Sequence, residues 1–212
     1  MSLEVINQNE NKISIRLKGI PIQYANALRR ICLNGVPIFA IETVEVLENT
    51  SIMPDEAIAH RLGLIPLKTD SKDIVISEEE TDESNSRVIL TLDSEENDVE
   101  DKNGTRTVFS NELKGEDSGV KPISDKIPIV TLAPGQKIKF QAYARLGRGT
   151  EHAKWNSANT SVLTETKNKD EHILTVESTG SLDAKNIVLI GMDELSTRLV
   201  KFKEMLSDLK TK

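Results

Sequence analysis

The chain has 212 residues, with a formal net charge of −7 and an isoelectric point near 5.2. This acidic balance disfavours a broad basic face that would hold nucleic-acid phosphates, so we expect no direct binding of DNA. No apolar run approaches the roughly 20 residues of a membrane span, and the polar start of the chain is unlike a secretion signal, which together predict a cytoplasmic protein.

Two short strands joined by a polar turn are predicted at the start of the chain. Leu3 and Val5 alternate with polar residues before the turn, and Ile13, Ile15 and Leu17 do so after it. A strand with one buried face shows this period of two. The pattern therefore indicates a β-hairpin that opens the fold.

A helix is predicted next, over residues 21–33. The proline at its start suits a first helical turn, and Ala25, Leu28 and Cys32 recur at the three- and four-residue spacing of one helical face. Gly35 then offers a residue that accepts the left-handed conformation with which many helices end. We therefore expect the helix to stop at this glycine.

The middle of the chain, from residue 41 to 146, shows mostly the period of two that is typical of β-strands. Residues 133–136 have the sequence of a type II turn, in which Pro134 fixes one dihedral angle and Gly135 accepts a positive one. Two acidic stretches, 78–83 and 93–104, are predicted to be solvated loops. The alternating apolar positions are Val44, Val46, Val88, Leu90, Leu92, Ile138, Phe140, Ala142, Ala144 and Leu146.

A strand and a long helix are predicted for the end of the chain. The strand covers residues 173–176, and Asp183 is placed to cap a helix that runs to about residue 209. At a rise of 1.5 Å per residue this helix is roughly 40 Å long, which is more than a small domain usually covers. Apolar residues recur along it every three to five positions: Ile187, Ile190, Leu195, Leu199, Phe202, Leu206 and Leu209. The stripe fits two uses equally well, packing on the chain's own sheet or an interface with another protein chain.

The sequence contains no convincing catalytic constellation. Residues 146–150 include two glycines but lack the lysine and the spacing of a phosphate-binding loop, so a turn is predicted there. His152 beside Glu151, and His60 beside Arg61, have the residue types of acid–base pairs. Adjacent residues, however, point to opposite faces of a strand and lie about 100° apart on a helix. We therefore predict structural hydrogen bonds for both histidines.

The only cysteine, Cys32, is predicted to be a small core residue. A single cysteine provides neither an intrachain disulfide nor the ligands of a zinc or iron–sulfur site, and the three histidines are too scattered for a helical zinc motif. We therefore expect no metal and no cofactor in this chain. The only tryptophan, Trp155, is expected to anchor a core or an interface.

One long block of the sequence resembles the α-like subunits of cellular RNA polymerases. It consists of residues 26–30 (NALRR), 48–51 (ENTS) and 55–67 (DEAIAHRLGLIPL), with Ala40, Val44 and Val46 between the first two segments. The order and length of this block make the resemblance specific.

Further segments resemble one branch of these proteins, the D-type chain of archaeal RNA polymerase and its eukaryotic counterpart, the third-largest subunit of polymerase II. They are residues 107–113 (TVFSNEL), 132–136 (LAPGQ) and 144–155 (ARLGRGTEHAKW). Residues 176–182 (VESTGSL), which lead into the long helix, are similar to the segment at which the α-like family returns to its first domain. Residues 151–155 separate this branch from the bacterial α subunits. Together the matching segments span nearly the whole chain.

The resemblance implies an α+β fold with a discontinuous architecture. Both chain ends are expected to form an α/β dimerisation domain, residues 1–45 and 169–212. A β-rich insert domain, residues 46–168, is expected to interrupt it.

The resemblance also implies a non-catalytic assembly subunit of RNA polymerase. Its expected partners are a small α-like protein, the L-like subunit of this family, two small zinc-binding subunits and the two large catalytic subunits. The residues expected at the dimer contact are Ala25, Leu28, Ile187, Ile190, Leu195, Leu199, Phe202 and Leu206. Those expected to contact other polymerase subunits, or to hold the loops that do, are Arg29, Arg30, His60, Arg61, Glu151, His152, Lys154 and Trp155.

The chain departs from many archaeal D-type chains in one respect. Those proteins carry a cysteine-rich domain that holds an iron–sulfur cluster, whereas the corresponding region here, residues 93–124, contains no cysteine. The resemblance therefore implies a member of the branch without a cluster.

Two other functions fit the sequence less well. A bacterial-type α homodimer is disfavoured by residues 151–155, and we expect no C-terminal DNA-binding domain after residue 212. An independent small enzyme that uses His152 with Glu151 has no supporting motif.

Overall fold

The structure, a computed structural model, describes residues 1–70, 87–96, 104–115, 119–168 and 170–209. Its helices are α1 (Ile22–Asn34), α2 (Asp55–Gly63) and α3 (Ala184–Leu209). Its strands are β1 (Ser2–Gln8), β2 (Lys12–Lys18), β3 (Ile38–Asn49), β4 (Val88–Asp93), β5 (Arg106–Phe109), β6 (Lys114–Gly115), β7 (Pro128–Leu132), β8 (Ile138–Gly147), β9 (Ala158–Glu165) and β10 (Glu171–Ser178).

The chain divides into two compact units. Both chain ends, Met1–Pro37 and Arg148–Lys212, form one unit, which we call the terminal unit. The stretch between them, Ile38–Gly147, forms the central unit. The predicted α+β class and the insertion of a β-rich domain between the two ends are therefore confirmed.

The terminal unit contains an antiparallel sheet in the order β1-β2-β10-β9, with α1 and α3 packed against it. On β2, Ile13, Ile15 and Leu17 are buried while the residues between them are not, as their alternation predicted. Leu174 and Val176 of β10 are also buried. The predicted opening hairpin is confirmed, since β1 pairs with β2 in antiparallel register.

Helix α1 lies within one residue of its predicted bounds, but it does not end as predicted. Gly35 has a φ of −99° and a ψ of −26°, which is a right-handed conformation. Its N–H continues the helical ladder by donating to the carbonyl of Ile31 at 2.8 Å. Pro37 provides the physical reason for the stop, because proline has no amide hydrogen to donate and it disfavours a helical conformation in the residue before it.

Helix α3 begins directly after Asp183, as predicted, and the carbonyl of Asp183 accepts the N–H of Ile187 at 3.0 Å. Its first half packs closely on α1. A side-chain carbon added at Gly191 would lie 3.3 Å from the sulfur of Cys32, so this glycine allows the close approach of the two helices. Cys32 is fully buried there, in agreement with its predicted core position.

The central unit contains a sheet in the order β3-β8-β4-β6, a two-stranded sheet of β5 and β7, and helix α2. The alternation predicted for β8 is confirmed, because Ile138, Phe140, Ala142 and Ala144 are all buried. Together with residues of β3, β4, β7 and α2 they form one apolar core.

The predicted type II turn between β7 and β8 is present. Gly135 has a φ of +78°, and Gln136 donates its N–H to the carbonyl of Ala133 at 3.0 Å. Of the two acidic stretches, 78–83 lies outside the described residues, and 93–104 is described only at residues 93–96 and 104.

The boundaries between the units differ from the predicted ones. Strand β3 runs unbroken from Ile38 and pairs with β8 along its length, which places residues 38–45 in the central unit. Strand β9 pairs with β10, so residues 148–168 belong with the chain ends. Hydrogen bonding between β3 and β8, which are distant in sequence, thus sets the first boundary, and pairing between the consecutive strands β9 and β10 sets the second.

Candidate subunit-interaction site

The terminal unit carries an apolar groove of about 290 Å³ between its sheet and its two helices. Strand β1 contributes Leu3, which lies opposite Leu17 of β2 in the antiparallel register and therefore on the same face. The groove is lined by Leu3, Ile15, Leu17, Ile20, Tyr24, Ala25, Leu28, Val188, Met192, Leu195, Ser196 and Leu199. An open apolar concavity of this kind suits an apolar side chain or helix of another protein.

The second half of helix α3 is exposed on every face. All side chains from Ser196 to Asp208 are exposed in the isolated chain. Five of them are large and apolar, and each has an exposed fraction of 44% to 60%: Leu199, Val200, Phe202, Met205 and Leu206. Most helices in proteins are stabilised by packing of an apolar face, which this half of α3 lacks within the part of the chain that is described.

The eight residues predicted at the dimer contact fall into three groups. Ala25 and Ile187 are buried at 1% and 0% exposure; Ala25 lies in the floor of the groove, whereas Ile187 belongs to the core beneath it. Leu28, Ile190 and Leu195 are half-buried. The most exposed members are Leu199, Phe202 and Leu206. The structure therefore joins Leu28, Leu195 and Leu199 in the groove and extends the stripe along α3.

The sequence analysis missed several exposed apolar residues of this surface. Tyr24 and Met192 line the groove, and Val200 and Met205 lie on the exposed half of α3. A signal for two of them was present, because Tyr24 is four positions before Leu28 and Met192 is three positions before Leu195. Periodicity alone, however, does not distinguish exposed positions from buried ones.

A cluster of ion pairs around one buried carboxylate lies at the base of the exposed half of α3. Glu194 is 9% exposed, and its carboxylate lies 3.2 Å from Nη1 of Arg148 and 2.8 Å from Nε of Arg198. Arg148 also donates from Nη1 to the carbonyl of Gly35 at 2.6 Å. A buried carboxylate needs such partners, because it loses its hydration. The cluster thus ties α3 to the end of α1 and to the turn after β8.

The turn after β8 is itself held by reciprocal hydrogen bonds. Arg148 donates its N–H to Oε1 of Glu151, and Glu151 donates its N–H to the carbonyl of Arg148, both at 2.9 Å. Gly149 lies against Asn34, since an added side-chain carbon would lie only 2.9 Å from the Cα atom of Asn34. The turn predicted at residues 146–150 is confirmed, and it is closely packed.

Residues 152–155 form a short turn around a buried tryptophan. Trp155 is 4% exposed, the ring of His152 meets it edge-on at 6.5 Å between centroids, and Nζ of Lys154 lies 4.3 Å from its ring centroid. Nδ1 of His152 accepts the N–H of Lys154 at 3.1 Å, which is the structural hydrogen bond predicted for this histidine. Trp155 is therefore an anchor in the core of the terminal unit.

The remaining predicted contact residues have separate environments. Arg29, on α1, donates to Oδ1 of Asn26 at 3.2 Å and to the carbonyl of Ser161 at 3.4 Å, while Arg30 is exposed. Arg61, on α2 of the central unit, donates to the carbonyl of Ile129 at 2.9 Å. Its neighbour His60 is exposed. Arg29 and Arg61 thus hold local structure through main-chain carbonyls.

Comparison with known proteins shows the family of this chain. Residues 40–166, more than half of the chain, match the family model described as the RNA polymerase Rpb3/RpoA insert domain. The chain belongs to the Rpb3/RpoA insert-domain family. The resemblance stated from its motifs is thereby confirmed.

The relatives of this chain include archaeal RNA polymerase subunits. The chain is 43% identical over 155 residues to the DNA-directed RNA polymerase subunit Rpo3 of Pyrococcus horikoshii, 39% over 163 residues to that of Methanosphaera stadtmanae, and 38% over 170 residues to that of Aeropyrum pernix. These matches cover 73%, 76% and 76% of this chain. They span 56%, 59% and 58% of the relatives' own length, so the relatives are considerably longer than the matched region.

The match to the insert-domain model extends beyond the central unit. It begins two residues after the start of β3 and continues through the turn after β8 and through β9 of the terminal unit.

Across the described ranges, no helix has the length and apolarity to cross a membrane, and no group of three or more His, Cys, Asp and Glu side chains is placed to hold a metal ion.

Cys32 is expected to resist thiol reagents in the native chain. It is fully buried, and burial raises the pKa of its thiol to about 12, so very little of the reactive thiolate is present at pH 8. A disulfide-exchange reagent should therefore modify Cys32 only after denaturation. Rapid, stoichiometric modification of the folded chain would show that the α1–α3 packing is not as described.

Proposed function

We propose that this chain is a non-catalytic assembly subunit of an archaeal-type DNA-directed RNA polymerase. Its terminal unit pairs with a small α-like protein, and the pair is the platform on which the large subunits assemble. The observation that carries the proposal is the second half of α3, which exposes five large apolar side chains on a helix without packing partners among the described residues.

An exposed surface of this kind fits a protein partner. Scattered apolar side chains are normal on a soluble protein, but a continuous apolar stripe on a helix marks an interaction site. The stripe continues through Leu199 into the groove formed by Leu3, Tyr24 and Leu28, so helix and groove make one surface. A partner with apolar helices would cover both the groove and the exposed stripe on α3.

The L-like subunit of the α-like family has the size and role expected of this partner. The relatives are named as DNA-directed RNA polymerase subunits, which supports the presence of further polymerase chains around this one. We infer that these include two small zinc-binding subunits and the two large catalytic subunits, as the family resemblance implies.

The motif residues divide into two roles within this proposal. Arg30 and His60 are exposed and are available for direct contacts with other polymerase chains. Arg29, Arg61 and Trp155 instead hold the local structure of α1, α2 and the turn after β8. The exposed members of that turn, Glu151 and His152, and the half-buried Lys154 are further candidates for such contacts.

We infer that the chain takes part in nucleotide addition only as a component of the complex, without an active site of its own. Catalytic magnesium in polymerases is held by a cluster of carboxylates, which the sequence did not suggest. With a single cysteine, the sequence also supports a polymerase component without an iron–sulfur cluster.

Expression alone and with the small partner tests the proposal. The isolated chain is expected to aggregate or to self-associate weakly, whereas co-expression with the L-like subunit of the same cell gives a soluble 1:1 pair. The masses are measured by light scattering after size exclusion. Neither the chain nor the pair should extend an RNA primer on a DNA template.

Two results would contradict this account. A stable homodimer of this chain that does not exchange with the L-like subunit would instead favour the bacterial-type arrangement. RNA synthesis by the repurified chain alone would refute its assignment as a non-catalytic component.

A further inference from the structure

Ile52 is the most exposed large apolar side chain of the described residues after the N-terminal methionine. Its exposed fraction is 90%, whereas the next in order, Met205 and Tyr24, are 60% and 59% exposed. It lies in the central unit, between β3 and α2, whereas the groove and the stripe on α3 belong to the terminal unit. A single exposed isoleucine is not unusual, but the surrounding structure shows that its position is fixed.

The segment that carries Ile52 is closed on itself by Asn49. Nδ2 of Asn49 donates to the carbonyl of Met53 at 2.9 Å and to Oδ1 of Asp55 at 2.6 Å. Oδ1 of Asn49 accepts the N–H of Ser51 at 3.0 Å and its hydroxyl at 2.7 Å. One asparagine therefore binds residues on both sides of Ile52, in the manner of side chains that set turns.

A second set of hydrogen bonds attaches this segment to the start of β8. Thr50 donates its N–H to the carbonyl of Lys137 at 2.9 Å, and Lys137 donates its N–H to Oγ1 of Thr50 at 2.7 Å. Ile52 is thus held at the apex of a braced loop. An apolar side chain that is ordered before binding loses little conformational entropy when it enters a pocket.

The surroundings of Ile52 are acidic. Glu48, Asp55 and Glu56 are exposed and lie within four positions of it, and the sequence has no lysine or arginine between Glu42 and Arg61. The two nearby lysines of β8 and the preceding turn are already neutralised: Lys137 pairs with Glu95, and Lys139 pairs with Asp93 at 2.7 Å. The carboxylates around Ile52 therefore leave a net negative rim.

We propose that Ile52 is the anchor of a second protein-docking surface, and that it enters an apolar pocket bordered by lysine or arginine side chains on another chain of the polymerase. Because the side chain of Ile52 is apolar, it is stabilised by an apolar pocket on the partner chain. Because the carboxylates around Ile52 are negative, they favour a partner whose pocket is bordered by lysine or arginine. The same rim repels nucleic acid. The proposal rests on the proposed function, because the partner is another polymerase chain.

A single-cysteine experiment tests this inference. The Ile52→Cys variant has only one reactive thiol, because Cys32 is fully buried with its thiol pKa raised to about 12. The tagged full chain is expressed in its own cell, and the assembled polymerase is purified through the tag. A maleimide should modify position 52 at least tenfold more slowly in the polymerase than in the isolated chain.

The same variant identifies what covers the loop. A short maleimide–benzophenone crosslinker attached at position 52 should link this chain to another polymerase subunit. Modification at the rate of the isolated chain, or a crosslink to a second copy of this chain, would overturn the inference. If the wild-type chain brings no polymerase subunits with it, the proposed function itself is wrong.

Two further variants test the chemistry of the contact. With Ile52→Asp, the amount of the crosslink-identified subunit that co-purifies with the tagged chain should fall at least tenfold, while the melting temperature of the chain stays unchanged. With Ile52→Leu, the same amount of that subunit should co-purify as with the wild type. Glu56→Lys should weaken recovery most at low salt, since charge contacts at a rim are screened by ions. Equal recovery for Ile52→Asp and wild type would contradict the anchor, and equal recovery for Glu56→Lys would contradict the basic border.

Discussion

Replacing Leu199 by aspartate is expected to abolish pairing with the small α-like protein while leaving the chain itself folded. Leu199 is 53% exposed in the isolated chain and lies where the groove meets the stripe on α3. In the pair, the aspartate would be an unpaired buried ion, which costs on the order of several kcal/mol. Since each ~1.4 kcal/mol is a factor of ten, affinity should fall by orders of magnitude. Titration calorimetry or co-purification measures the loss.

The control for this experiment is Thr197→Asp. It introduces the same charge on the same exposed part of α3, but Thr197 lies about 200° around the helix from Leu199. Affinity should change little. If Leu199→Asp leaves pairing intact and instead lowers the melting temperature of the isolated chain, the stripe is part of an internal core, and the interface must be sought on α1.

Replacing Gly149 by alanine is expected to destabilise the terminal unit. The new Cβ atom would lie 2.8 Å from Cβ and 2.9 Å from Cα of Asn34, and it would also overlap Oδ1 of Asn156. The side chain of Asn156 can rotate, but the backbone at the end of α1 cannot move without disturbing the contact between Arg148 and Gly35. Overpacking of this kind costs about 1–3 kcal/mol, so the melting temperature should fall measurably.

Gly119→Ala is the matched control for Gly149→Ala. Among the described residues, an added Cβ at Gly119 would meet no atom within 4 Å, and the φ of Gly119 is not positive. Alanine there should be neutral or should stabilise the chain by a few tenths of a kcal/mol to about 1 kcal/mol, because it restricts the unfolded chain. If both variants melt at the same temperature as the wild type, the close packing of the turn against α1 is refuted.

Local signals in the sequence predicted β2, β8, α1 and α3 well, whereas helix α2 was not predicted. Residues alternate on β2 and β8 and recur at three- and four-residue spacing on α1 because one face of each element is buried. Such a pattern involves only residues that are close in sequence, so it can be recognised from the sequence alone. Gly35 shows the limit of such reasoning. A glycine permits the left-handed conformation, but Pro37 already ends the helix two residues later, so the left-handed conformation is not needed.

The division into units was predicted less accurately, because it depends on contacts between distant residues. Strand β9 has the sequence ANTSVLTE, in which apolar and polar residues do not alternate cleanly, so nothing local assigns it to a sheet. Its partner in register is β10, in which Leu174 lies opposite Leu163. The pairing of these strands, together with the contacts of Arg148 and Gly149 with the end of α1, places residues 148–168 in the terminal unit.

The candidate site was predicted in part for the same reason. The repeat of Leu195, Leu199, Phe202 and Leu206 located the apolar stripe, but the sequence left open whether the chain's own sheet covers it. Burial ends after Leu195 because the exposed half of α3 has no packing partner among the described residues. Ile52 carried no signal, because one apolar residue in a polar loop has no periodicity.

The composition of the complex isolated through this chain tests the central claim most directly. The tagged chain is purified from its own cell under native conditions, and the intact complex is analysed by mass spectrometry and assayed for template-directed RNA synthesis. The account predicts one copy of this chain with one small α-like protein, together with the large polymerase subunits and RNA synthesis by the complex. Recovery of the chain alone, or as a homodimer without polymerase subunits, would contradict it.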